Sequence, residues 1–210
     1  MNNLGKLTSI PANFCSNRTS LQRVYIKNWS SIQTIPANFL SGCSRLDTLS
    51  DFAGMNNLST LGNYFLSGCT NLTSLTCIDN IGSLRTINSY FCNGCNRLST
   101  LKLSNRGSIT SIGSYFCNNC SSLTDSGLQL PSSISMNTIQ DYFLSGCSKL
   151  YDFSISWSNV RSLGSYIFNN CTGLNKLTFS CGASQLGSNF LNNCTQSGLD
   201  VNFKNWTALT

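Results

Sequence analysis

The sequence has no histidine and no glutamate, and its seven acidic residues are all aspartate. The side chains that most often move protons near neutral pH are therefore mostly missing. No catalytic triad, paired-carboxylate constellation or phosphate-cradling glycine loop stands out, so the chain reads as no enzyme and needs no cofactor. Charged residues make up 10% of the chain, against roughly 25% in an average soluble domain. Ser, Thr, Asn and Gly supply the polarity instead. No stretch approaches the roughly 20 apolar residues needed to cross a bilayer, so membrane insertion is not expected. The opening MNNLGKLTSIPANF lacks the basic start and apolar centre of a signal peptide. An intracellular place, or a place within an assembly, is the expectation, and the cell surface only if the chain is a fragment. The net charge is +6, but the cations are scattered. A nucleic-acid footprint would cluster them, so the charge reads as solubility and no nucleic-acid partner is expected.

Cysteine, by contrast, is abundant, with twelve residues. YFCNGC (90–95) and YFCNNC (115–120) together spell C-x2-C-x21-C-x2-C, close to the spacing of a four-cysteine zinc site. An internal repeat offers another explanation. Aligned on this stretch, the chain reads NFCSNRTSL (13–21), NFLSGCSRL (38–46), YFLSGCTNL (64–72), YFCNGCNRL (90–98), YFCNNCSSL (115–123), YFLSGCSKL (142–150), YIFNNCTGL (166–174) and NFLNNCTQS (189–197). Eight units of about 25 residues cover nearly all of it. Cys95 and Cys120 belong to a column shared with Cys43, Cys69, Cys147, Cys171 and Cys194. Cys92 and Cys117 replace the leucine found at Leu40, Leu66, Leu144 and Leu191. Buried free cysteine behaves as a small hydrophobe, so packing is preferred over metal binding, and mostly reduced thiols are expected.

Each unit continues as L-x-x-L-x-L or close to it, as in LSTLKL (98–103) and LNKLTF (174–179). The alternation is that of a strand with one buried face. The segment around Tyr-Phe-x-x-x-Cys is too short for a long helix and is read as one or two helical or 3₁₀ turns. One strand and one short turn of helix per 20–29 residues is the leucine-rich-repeat pattern. Gly42, Gly68, Gly94 and Gly146 precede the column cysteine, with Asn119, Asn170 and Asn193 in the same place. Both residue types tolerate left-handed turns. Two extra residues near Ser126–Gly127 should bulge, and Asp51 falls where a strand should point inward.

The pattern I-G-x-x-x-F-x-x-C-x-x-L, carried by Ile112, Gly113, Phe116, Cys120 and Leu123, resembles the BspA-like (Treponema pallidum type) leucine-rich repeat. The Ile-Pro pairs at 10–11 and 35–36 suit it too, and the resemblance covers essentially the full chain. It implies an α/β solenoid of about eight units in one domain spanning residues 1–210. A parallel β-sheet would line one face and short helical or 3₁₀ turns the other. It also implies adhesion or protein binding in place of catalysis.

Candidate binding residues follow from the repeat. Tyr64, Tyr90, Tyr115, Tyr142 and Tyr166 hold one position in five consecutive units. They form either a stabilising ladder or an aromatic binding stripe. On the strand face, alternation turns Tyr25, Lys102, Gln129, Lys176 and Asn202 outward. Trp29 and Trp206, in the similar KNWS and KNWT of the first and last units, are candidate end contacts. Expected partners are accordingly another protein or further copies of the chain, as in an adhesin fragment or an assembly subunit whose neighbours cover the solenoid ends.

Overall fold

The computed structural model describes residues 7–27, 29–50, 52, 54–79, 81–103, 109–132 and 134–206. Asp51 lies outside them. The chain alternates between two lines of short parallel strands. In chain order they are β1 (Arg23–Tyr25), β2 (Thr34–Ile35), β3 (Thr48–Ser50), β4 (Thr60–Leu61), β5 (Ser74–Leu75), β6 (Thr86–Ile87), β7 (Thr100–Lys102) and β8 (Ser111–Ile112). There follow β9 (Leu128–Gln129), β10 (Thr138–Ile139), β11 (Asp152–Trp157), β12 (Ser162–Leu163), β13 (Lys176–Cys181), β14 (Gln185–Leu186) and β15 (Asp200–Lys204). Odd-numbered strands pair only with odd and even only with even, always in parallel. Among the described residues the eight odd-numbered strands bound about seven turns of a parallel β-solenoid.

Two features differ from the reading of the sequence. The first is a second sheet. The dipeptides Thr34–Ile35, Thr60–Leu61, Thr86–Ile87 and Ser111–Ile112 form a ladder of their own. Each buries its Ile or Leu and turns its hydroxyl residue outward. Two residues are too few to show a period of two, so this strand line is hidden in the sequence.

The second is that no helix or 3₁₀ turn occurs among the described residues. The Tyr-Phe-x-x-x-Cys segment is a run of tight β-turns, so the fold is all-β and not α/β. In the third unit, Ser67 N donates to Tyr64 O (3.1 Å), Cys69 N to Leu66 O (3.1 Å) and Leu72 N to Cys69 O (3.1 Å). Positive φ falls on every second residue: Tyr64 at 59°, Leu66 at 58° and Gly68 at 75°. A right-handed helix needs negative φ throughout. Positive φ at the third residue of a four-residue turn is the type II geometry. The alternation frees amides to bond between units: Tyr64 N reaches Ser89 O (2.9 Å) and Gly68 N reaches Asn93 O (2.8 Å) above, while Leu66 N reaches Phe39 O (3.2 Å) below. Main-chain groups that a helix would satisfy internally are thus spent on joining turns of the coil.

The core is built from columns. Phe14, Phe39, Phe65, Phe91, Phe116 and Phe143 stack in one nearly parallel series with centroids 5.1–5.8 Å apart. Ile167 continues the column and is fully buried. Burial of a Phe side chain contributes on the order of 1.5–3 kcal/mol, and one such ring enters per turn. Glycine spaces the turns where backbones approach: a Cβ on Gly113 would lie 2.5 Å from Ser89 N.

Candidate functional site

The cysteine column is the innermost chemical feature. Each thiol donates to a main-chain carbonyl of the preceding unit: Cys69 to Leu40 (3.2 Å), Cys95 to Leu66 (3.1 Å), Cys120 to Cys92 (3.1 Å), Cys147 to Cys117 (3.2 Å) and Cys171 to Leu144 (3.2 Å). The acceptor is always the left-handed residue in the middle of the turn run. Its carbonyl already takes one amide from its own turn, and the thiol occupies its second lone pair. Cysteine suits this place because it is small and apolar yet carries a weak donor. Cys43, Cys69, Cys92, Cys95, Cys117, Cys120, Cys147 and Cys171 are all buried and unbridged. Burial pushes the Cys92, Cys117 and Cys147 thiols well above the ordinary range, and Cys171 up to about 12. Such thiols are poor nucleophiles. Among the described residues no group of three or more His, Cys, Asp or Glu is arranged to hold a metal ion. The zinc-like spacing is the repeat length seen twice.

The tyrosine row lies where the second strand line gives way to the turn run. Tyr64, Tyr90, Tyr115, Tyr142 and Tyr166 stack face to face, with centroids 4.4, 4.4, 4.4 and 4.7 Å apart and planes within 11° of parallel. Tyr64 is 39% exposed and the others are half-buried. The Tyr115 hydroxyl is raised above its ordinary pKa by burial and then by Tyr142 and Tyr90 on either side. Beyond the row asparagine takes over, and Asn38 Nδ2 donates to Asn13 Oδ1 at 3.0 Å. One turn further in, Asn118 Nδ2 donates to Asn93 Oδ1 (2.8 Å) and Asn192 Nδ2 to Asn169 Oδ1 (3.0 Å).

The predicted strand-face residues do point outward, but they are not one site. The first strand line is broken into three sheets, β1–β3, β5–β7–β9 and β11–β13–β15. Tyr25, 61% exposed, lies on the first sheet. Lys102 and Gln129 are register partners on the second. Lys176 and Asn202 lie on the third, where Lys176 sits in register between Asp152 and Asp200.

Trp29, a candidate end contact in the sequence, has little exposed surface for one. It is buried, edge-on to Phe14 (6.3 Å) and Phe39 (6.3 Å). It fills the corner after the first strand, as Trp157 does in the sixth unit, where Nε1 donates to Pro131 O at 2.8 Å. Trp206 is half-buried against Phe203 (4.2 Å), and its Nε1 donates to Phe179 O.

The sequence reading missed the hydroxyl column of the second strand line: Thr34, Thr60, Thr86, Ser111, Thr138 and Ser162, closed by Gln185. The available signal was a Thr or Ser before the Ile or Leu that opens each turn run.

A coil with one strand, one corner strand and one cysteine-pinned turn run in every 23 to 27 residues is a leucine-rich-repeat solenoid. The family model described as BspA type Leucine rich repeat region (6 copies) matches residues 8–147 and again residues 59–198. The chain belongs to that family. No curated protein and no solved structure matches it. No helix among the described residues is long and apolar enough to cross a membrane.

Proposed function

We propose that the protein is a non-enzymatic binding module whose partner is another protein, and that the tyrosine row is its principal contact. The observation that carries this is the continuous stack of Tyr64, Tyr90, Tyr115, Tyr142 and Tyr166, half-exposed across five units. Tyrosine offers a large amphipathic surface with few rotatable bonds. Stacking fixes the rings before a partner arrives, so little side-chain entropy remains to be lost on binding. The outward residues of the strand face, exposed Tyr25, Lys176 and Asn202 and half-buried Lys102 and Gln129, would extend the contact on a second side. Use as a surface adhesin, or as one subunit of an assembly, are the two settings in which such a module would serve.

The test separates a ladder from a binding stripe. Tyr115→Ala removes two stacking contacts, each worth about 0.5–1.5 kcal/mol, and lowers stability in either case. Tyr115→Phe keeps the stacking and removes only the hydroxyl. Loss of a cross-linked partner with Tyr90→Phe/Tyr115→Phe/Tyr142→Phe, at unchanged melting temperature, supports the stripe. Unchanged partner yield in both the Phe triple variant and Tyr115→Ala reduces the row to a stabilising ladder.

A further inference from the structure

The five rings of the tyrosine row are held in one geometry from the backbone outward. Tyr64, Tyr90, Tyr115, Tyr142 and Tyr166 share a left-handed φ of 57–63°, so each side chain leaves its turn in the same direction. Each of their amides donates to the carbonyl just before the next ring. Tyr64 N reaches Ser89 O (2.9 Å), Tyr90 N reaches Ser114 O (2.8 Å) and Tyr115 N reaches Asp141 O (2.9 Å). Tyr142 N reaches Ser165 O (2.9 Å) and Tyr166 N reaches Ser188 O (2.8 Å). The backbones carrying adjacent rings are thus tied to each other.

The rings repeat almost by translation, with centroids 4.4–4.7 Å apart and planes within 11° of parallel. The phenols point to one side, since the hydroxyls of Tyr142 and Tyr90 both act on that of Tyr115. Each carbon beside a hydroxyl therefore has the same carbon of the next ring as its neighbour.

Most other oxidisable side chains are shielded. Met55, Met136, Trp29 and Trp157 are buried, and so are nine of the twelve cysteines. None of the five row tyrosines is buried. Tyr25 and Tyr151 are more exposed than the row, at 61% and 56%. The stacked tyrosine pairs among the described residues nevertheless all lie within the row.

We propose that the row is a site of oxidative cross-linking, where neighbouring rings couple to dityrosine under hydrogen peroxide and a peroxidase. One peroxide takes an electron and a proton from each of two phenols and leaves as two waters. Each phenoxyl radical carries its spin on the oxygen and on the ring carbons beside it. A bond forms between one such carbon of each ring, and the hydrogen on each bonded carbon moves to the phenol oxygen. The chain loses two hydrogens per cross-link. Free tyrosyl radicals must meet by diffusion, but here the second phenol is already in place. Centroids 4.4 Å apart are beyond bonding distance. The χ2 torsion of tyrosine is soft, however, and rotating two rings about it swings the two carbons together. The product ties consecutive units covalently.

The test uses the full chain, with the half-buried thiols of Cys15, Cys77 and Cys194 alkylated before peroxide and peroxidase are added. Dityrosine fluorescence is expected in a species that stays monomeric on a denaturing gel. Its yield per chain should not change over a tenfold dilution. Mass spectrometry should find linked peptides from adjacent members of the row, lighter by two hydrogens. Tyr90→Phe/Tyr142→Phe keeps the stack and breaks every adjacent pair, because each pair contains Tyr90 or Tyr142. It should lower intramolecular dityrosine at least tenfold. Tyr25→Phe/Tyr151→Phe should leave that yield unchanged. No dityrosine in the unsubstituted chain overturns the proposal. So does full yield in Tyr90→Phe/Tyr142→Phe, or product found only between chains. The partner contact is read without oxidant, so either use of the row can fail without the other.

Discussion

The Cys95 thiol donates to the carbonyl of Leu66, one unit below, at 3.1 Å. That carbonyl also accepts Cys69 N from its own turn at 3.1 Å. One cysteine therefore fills a core position and completes the bonding of a left-handed turn residue in the neighbouring unit. The same relationship recurs at Cys120, Cys147 and Cys171, so local turn geometry and the stacking of units are stabilised together.

Replacement of Cys95 tests this pairing. Cys95→Ala removes the donor and leaves a small void, and should cost about 1–2 kcal/mol in urea denaturation. Cys95→Ser keeps a donor at a similar distance and leaves a smaller void. If the bond matters, its cost will not exceed that of Cys95→Ala, despite the burial of a more polar group. A much larger loss for Ser would show that the position selects for hydrophobicity alone.

Alkaline pH should destabilise the fold by way of these thiols. Cys171 has its folded pKa pushed from 9.0 up to about 12 by burial. A raised folded pKa means that the unfolded chain releases the proton first. Stability from this group is then fully present below about pH 9 and is lost as pH rises toward 12. Each thiol of this kind contributes a slope of at most about −1.4 kcal/mol per pH unit in that window. Denaturation midpoints should be level from pH 7 to 8.5 and fall above 9, and Cys171→Ala should reduce the slope. At pH 8, thiol reagents should reach Cys92, Cys117 and Cys147 only at the rate of unfolding.

Gly94 isolates the role of backbone conformation. Its φ is +74°, and a Cβ there would meet no atom within 4 Å. Gly94→Ala should therefore cost about 1–2 kcal/mol from the left-handed backbone alone. Gly94→Asn should cost less, because asparagine tolerates this region and Asn119 holds it one unit on, at φ 58°. Equal melting temperatures for the Ala and Asn variants would refute the account.

Asp125 should help to hold the fifth unit to the sixth, since its carboxylate accepts from Tyr151 N and Asp152 N. Asp125→Ala leaves the amides of Tyr151 and Asp152 without their acceptor, at a cost of about 1–3 kcal/mol. Asp125→Asn keeps one carbonyl oxygen and should recover part of it. Hydrogen exchange should rise at Tyr151 and Asp152 while Lys176 stays protected. Uniform exchange across both would show that the carboxylate does not act locally.

Much of this fold was legible in the sequence because repetition multiplies weak signals. A single Phe-x-x-x-Cys says little, but eight aligned copies identify the core columns, the family and the left-handed place held by Gly42, Gly68 and Asn119. The second strand line escaped because Thr86–Ile87 is too short to show alternation. The turn run was misread because Tyr64 and Leu66 are not residues one expects at positive φ. Only bonds to Ser89 and Phe39 in neighbouring units make that backbone favourable. Trp29 reads only as a candidate end contact in the sequence because nothing local marks it as the cover of Phe14 and Phe39.

The sequence by itself determined the repeat length, the Phe and Cys columns and the tyrosine register, since each is a matter of spacing along one chain. Tertiary structure decided the rest: which amides bond between turns, which carbonyl each thiol meets, and where the sheets part. Those depend on the offset between successive units. The two residues added near Gly127 alter that offset once, and only stacking shows that the turn run continues past the change while the ladders of both strand lines are interrupted.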